Sequence, residues 1–265
     1  MTTAPSSPAP LSGKLAIVTG GGRGIGRATA LALAARGADI VLLGRTERSL
    51  KATAVDIRLE SDVTVHVRTL DVTDGDAVET TFAGLIADLG PPAILVNNAG
   101  GAESAPFTRL DRGSWDATLA LNLTSVYACT HAVLPAMLEA GYGRIVNVAS
   151  TAGLEGFPYV AAYCAAKHGV VGLTKSLALE VADKGINVNA VCPGYTDTDM
   201  VQEAIRNIAA KTGKTETKAR EELAATNAHG LLIQPEDVAN MVVALCGPAA
   251  NSVTGQAIEI TGEEA

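Results

Sequence analysis

Tyr163 and Lys167 stand at i and i+4 in a helical pattern, so one helix face can carry both side chains to a single ligand. A phenol of pKa about 10 is a weak base near neutrality, and an ammonium beside it favours the phenolate. The pair is expected to move a proton, with Lys167 lowering the pKa of Tyr163. Ser150 ends an apolar run upstream and can hydrogen-bond the same substrate oxygen. A proton exchanged with a carbonyl or hydroxyl oxygen points to hydride transfer as the companion step.

A second chemical signal lies near the start of the chain. Thr19-Gly20-Gly21-Gly22-Arg23-Gly24-Ile25-Gly26 follows an apolar run and opens a helical pattern at Arg27. Glycines there let backbone N–H groups approach a pyrophosphate, which then sits on a positive helix N-terminus. The next apolar run, Asp39 to Leu43, ends in Gly44-Arg45-Thr46 and lacks the terminal carboxylate that would hold a free ribose. Arg45 and Arg23 can instead clamp a 2′-phosphate. The expected cofactor is NADP(H), with NAD(H) the alternative.

These residues need a scaffold that brings strand ends together. Strands are expected over 15–19, 39–43, 63–70, 93–97, 144–149, 187–192 and 256–260. Helices are expected over 24–36, 48–61, 74–89, 112–140, 160–184 and 235–246. Apolar runs alternating with helical patterns imply parallel strands covered on both faces, hence an α/β doubly wound Rossmann sheet of about seven strands. Residues 14–265 read as one domain and residues 1–13 as a disordered tail. The polar, helix-prone stretch over about 195–232 breaks the alternation; it reads as a lid over the site or as a solvated helical hairpin.

The chain's 265 residues include 20 Lys and Arg against 28 Asp and Glu, a formal charge of −8, and no long basic block. A nucleic-acid footprint is therefore not expected. No window of about 18 uncharged, predominantly apolar residues is expected to cross a membrane. Cys129, Cys164, Cys192 and Cys246 match no zinc spacing and fit a reducing cytoplasm. His66, His131, His168 and His229 are scattered, and no metal site is expected.

The glycine spacing is G-x-x-x-G-x-G, and here the chain resembles the short-chain dehydrogenase/reductase family. Further motifs follow in order: Asp71, Asn97-Asn98-Ala99-Gly100, Asn122, Ser150, Tyr163-Cys164-Ala165-Ala166-Lys167 and Pro193-Gly194. The resemblance implies Asn122, Ser150, Tyr163 and Lys167 as the catalytic set, with Asn122 holding a water that links Lys167 to a proton relay. It implies cofactor contacts from Gly20, Gly22, Arg23, Gly24, Ile25 and Gly26, and from Arg45 and Thr46. Asp71 would receive the adenine amino group, with Val72 beside it. Asn98 would lie at the ribose, next to Ala99 and Gly100. Tyr163 and Lys167 would also face the nicotinamide ribose, and Pro193, Gly194, Thr196 and Thr198 its carboxamide; Thr198 has a helix-capping role as its alternative.

The resemblance also implies a substrate wall of Leu154, Phe157, Tyr159, Tyr195 and Met200 around Ser150 and Tyr163, apolar and moderately large. It points to ketoreductases of the 3-oxoacyl, polyketide or hydroxyacyl-CoA type. The alternatives are a secondary-alcohol or aromatic-alcohol dehydrogenase and, last, a non-enzymatic cofactor-binding regulator. Ala128 stands where carrier-protein-dependent members tend to have an arginine, while Lys184 fills a second basic position. That departure leaves acyl-CoA esters, free ketones and secondary alcohols as small-molecule partners. Small-residue faces on the Asn122 and Tyr163 helices can pack against symmetry mates, and the resemblance implies a homotetramer.

Overall fold

The computed structural model describes residues 9–262. Within them one parallel sheet contains β1 (Leu15–Thr19), β2 (Asp39–Gly44), β3 (Val65–Thr69), β4 (Ile94–Asn97), β5 (Gly143–Val148), β6 (Ile186–Pro193) and β7 (Ala257–Ile260), in the order β3-β2-β1-β4-β5-β6-β7. Alternation along each strand splits the core in two. Val18, Leu42, Val96 and Val146 pack under α1 (Gly24–Ala34), α2 (Glu47–Glu60) and α9 (Pro235–Cys246). Their neighbours Ile17, Val41, Leu95 and Ile145 pack under α3 (Gly75–Leu89), α5 (Ser125–Ala140) and α6 (Ala161–Val181). The expected doubly wound sheet is therefore present, with element bounds shifted by a few residues.

Strand order reverses between β1 and β4, which opens a crevice beyond their carboxyl ends. The glycine turn, the Asn97 to Gly100 segment and Ser150 all fall at that edge.

Three expectations are corrected. First, the tail ends earlier than residue 13. Leu11 is 2% exposed, its N–H donates to Arg36 O at 2.9 Å, and its side chain joins the cluster under α1. One leucine can bury itself where proline-rich surroundings read as loose; residues 1–8 lie outside the described range. Second, the single helix expected over 112–140 is interrupted: α4 (Arg112–Leu119) passes through a π-helical turn at Ala120–Thr124 into α5. Third, this run has the length and hydropathy to cross a membrane. Its residues Val126, Cys129, Val133 and Met137 are instead core contacts of the sheet.

After β6 the chain leaves the sheet as α7 (Asp199–Thr212) and α8 (Glu216–Ala224), which share a small apolar cluster of Val201, Ile205, Ala219, Ala224 and Leu232. It returns where Thr196 pairs with Ile233.

Candidate active site

Lys167 is 4% exposed and donates from Nζ to Val148 O at 2.8 Å. The same Nζ lies 5.5 Å from the centre of the Tyr163 ring, one helical turn back on α6. Ser150, just beyond β5, accepts Ala152 N–H on its Oγ at 3.1 Å, and its hydroxyl lies beside the Tyr163 phenol. Burial pushes the Tyr163 phenol up to about 12, against the opposing effect of the neighbouring Ser150 hydroxyl. Burial also pushes Lys167 down to about 8. The expected lowering of Tyr163 by Lys167 is thus corrected: the pocket that joins them penalises both charged forms, and the ammonium turns to the Val148 carbonyl.

Asn122 sits fully buried in the π turn. Its Nδ2 donates to Gly101 O (2.9 Å) and Thr118 O (3.0 Å), and its Oδ1 accepts Gly101 N–H (3.1 Å). The amide therefore fixes the segment after Gly100. π turns break the α-helical ladder and are frequent at functional sites.

At the glycine turn, Gly20 has φ of +66°, and a Cβ on Gly26 would collide with Gly20 O, so only glycine lets α1 start this close to β1. α1 begins with no side-chain cap and no acidic residue in its first turn. Its first N–H groups are thus available to an anion, and the residues present fit a dinucleotide pyrophosphate. Asn98 braces the turn, donating from Nδ2 to Thr19 O (2.9 Å) and Gly20 O (3.3 Å); Thr19 Oγ1 receives the Asn98 and Ala99 N–H groups. That bracing is a structural task the ribose expectation for Asn98 did not include.

Arg45 is exposed beyond β2, and its charge helps hold the Asp71 carboxyl below the usual range, after the larger effect of two hydrogen bonds from Thr73. Those bonds, 3.0 Å from N and 2.8 Å from Oγ1, both end on Asp71 Oδ1. Asp74, not Asp71, caps α3. Arg23 is exposed and lies 3.9 Å from Asp199. Thr46 begins α2 without a side-chain cap, and Val72 is buried.

A family model described as short chain dehydrogenase matches residues 14–209. The chain belongs to that family. It is similar to an acetoacetyl-CoA reductase of Rhizobium meliloti, 39% identical over 94% of this chain and 97% of the relative. It is also similar to a D-beta-hydroxybutyrate dehydrogenase of Cupriavidus necator, 38% identical over 92% and 95%. Among solved structures, a single-substitution variant of actinorhodin polyketide ketoreductase with NADPH aligns at a TM-score of 0.90 and 39% identity, covering 94% of this chain and 96% of that one. This short-chain dehydrogenase is an NAD(P)-dependent oxidoreductase of the ketoreductase type.

The residues named for the substrate wall of this short-chain dehydrogenase lie on the loop after β5 (Leu154, Phe157 and Tyr159), on the turn after β6 (Tyr195) and in the first turn of α7 (Met200). Phe157 and Tyr195 meet edge to face at 6.5 Å, and Phe157 N–H points at Cys164 Sγ, beside Tyr163. Tyr159 has φ of +68° and accepts Ala105 N–H at 2.8 Å, tying its loop to the Gly101–Pro106 segment. Leu154, Tyr159 and Met200 are exposed.

After Pro193 and Gly194, Thr196 is buried and its Oγ1 donates to Gly194 O at 3.1 Å. Thr198 stands at the start of α7 but does not cap it: its Oγ1 donates to Thr196 O at 3.3 Å. The alternative helix-capping role for Thr198 is therefore not realised. Sequence reasoning misses Asn227 and the Asp197–Arg220 ion pair at 2.6 Å, because their partners are distant in the chain and lie in the irregular stretch.

Proposed function

We propose that this short-chain dehydrogenase reduces the ketone of an apolar small molecule or acyl-CoA ester to a secondary alcohol, preferring NADPH. One observation carries the reading: a buried Lys167 lies 5.5 Å from the centre of the Tyr163 ring, at the crevice edge beside Ser150. A phenol pushed up to about 12 rests in its neutral form, the form that donates a proton. When bound, the nicotinamide supplies the hydride that the carbonyl carbon accepts. Ser150 holds the carbonyl oxygen and Tyr163 gives it the proton. Lys167, at about 8, keeps a proton near neutrality; with one N–H on Val148 O, two others remain for ribose hydroxyls and for returning a proton to Tyr163. Asn122 holds Gly101, and the π turn beside it is the expected seat of a relay water.

The missing carboxylate after β2 and the exposed Arg45 support NADPH, as does the neighbour solved with it. Phe157, Tyr195, Leu154, Tyr159 and Met200 support an apolar substrate. Lys184 is engaged by Asp183 and Glu180 O, and Ala128 is half-buried, so carrier-protein docking gains no support. Exposed Tyr127 and Leu138 on α5 and Leu179 on α6 support pairing of these faces in a homotetramer, and a cytoplasmic setting fits its four free thiols. Assays with acetoacetyl-CoA, a cyclic or aromatic ketone and a simple secondary alcohol, each with NADPH and NADH, test the reading. Ketone turnover at least about tenfold better with NADPH is the expected result; no ketone turnover with either cofactor overturns it.

A further inference from the structure

The lid leaves and re-enters the fold at one point, and a side chain far along the chain holds that point together. Asn227 is 4% exposed. Its Oδ1 accepts Tyr195 N–H at 3.0 Å, and its Nδ2 donates to Tyr195 O at 2.8 Å and to Leu231 O at 2.7 Å. One amide thus satisfies both backbone groups of Tyr195 and one of the returning strand. The approach is so close that a Cβ at position 194 would collide with Asn227 Oδ1, so Gly194 is required for the amide to reach. Beside it, Ile233 N–H also donates to Tyr195 O (3.0 Å), and Asp197 N–H donates to Ile233 O (2.8 Å). Further out, the Asp197 carboxylate receives Gln202 (2.5 Å) from α7 and Arg220 (2.6 Å) from α8.

We infer that Asn227 is a positioning residue for catalysis. By fixing the Tyr195 backbone it sets the ring that faces Phe157 and the turn through Thr196, and so determines how tightly the cleft closes on its ligands. It acts through Tyr195 and touches neither Tyr163 nor Lys167. The inference rests on the reading of this cleft as a carbonyl-reduction site. An amide suits the task because it offers one acceptor and two donors at once. Leucine, of similar shape, would leave Tyr195 N–H and Leu231 O buried without partners. Aspartate would keep the acceptor for Tyr195 N–H but set a negative charge against two carbonyl oxygens.

The test compares wild type, Asn227→Leu and Asn227→Asp for ketone KM and kcat, NADPH Kd by fluorescence, Tm, and hydrogen exchange of amides 199–224. In Asn227→Leu, KM and NADPH Kd should rise about tenfold or more, with kcat within about threefold and the pH midpoints of kcat/KM unmoved. Exchange across α7 and α8 should quicken while the sheet amides hold. Asn227→Asp should move in the same direction and recover as pH is lowered, when its protonated acid regains a donor; it also serves if the leucine variant does not fold. A fall in Tm with KM, Kd and lid exchange within about twofold of wild type in both variants overturns the inference. Should wild type reduce no ketone, the functional reading fails, while NADPH Kd and lid exchange still decide the role of Asn227.

Discussion

The Lys167 ammonium lies 5.5 Å from the centre of the Tyr163 ring, and its hydrogen bond runs to Val148 O. Both groups sit in the neutral direction of their titrations, the phenol at about 12 and the amine at about 8. Tyr163→Phe removes the proton donor and leaves the apolar ring. kcat for ketone reduction should fall at least about a hundredfold with NADPH Kd unchanged, as read by steady-state kinetics and fluorescence titration.

The lowered value for Lys167 has a definite sign in stability. Below about pH 8 the native state holds a buried cation that the unfolded chain carries freely. Between about 8 and the ordinary lysine value of 10.5 the native state binds fewer protons than the unfolded one, so this group's penalty is relieved as pH rises. Lys167→Met should therefore gain in Tm relative to wild type at pH 7, and the difference should shrink towards about pH 10. A difference that grows with pH would contradict the assignment.

The same group bears on turnover. In the wild type, kcat/KM for reduction should decline above about pH 8 as Lys167 loses its proton in the free enzyme. Lys167→Arg, which stays charged, should flatten that limb even at lower overall activity.

Arg45 follows β2 and Asp71 follows β3, near enough for the Arg45 charge to help lower the Asp71 carboxyl, at the end of the sheet where the adenosine end of a dinucleotide is expected. Arg45→Asp should lower kcat/KM with NADPH by at least about tenfold and leave NADH within about threefold, because only the former carries the phosphate. Equal losses with both cofactors would point to a folding role for Arg45.

Leu11→Ala removes a side chain that is 2% exposed under α1. Chemical unfolding should show a loss of about 2–4 kcal/mol, with KM values unchanged. A neutral outcome would return this residue to the tail.

The sheet is legible in the sequence because strands covered on both sides must be continuously apolar, as Ile94–Asn97 and Ile186–Pro193 largely are. Tyr163 and Lys167 are legible because their relation is local, one helical turn. The π turn at Ala120–Thr124 is not, since one extra residue per turn leaves the apolar pattern on either side intact. Asn227 is hidden for a different reason: its partner Tyr195 is 32 positions away, and no local periodicity links a buried amide to a distant backbone. The shifts of Tyr163 and Lys167 depend on surrounding burial, which spacing alone does not report.

The lid's two ends meet at Tyr195 and Ile233, with its own apolar cluster between them. Everything from Asp199 to Ala224 is thereby a closed excursion whose internal length the sheet does not sense. Loop-closure entropy changes only slowly with length, so this excursion can be exchanged for a longer or shorter one at little cost to the scaffold. The molecule is in that sense a hydride-transfer chassis with one interchangeable part, joined to it mainly where Tyr195 and Ile233 meet.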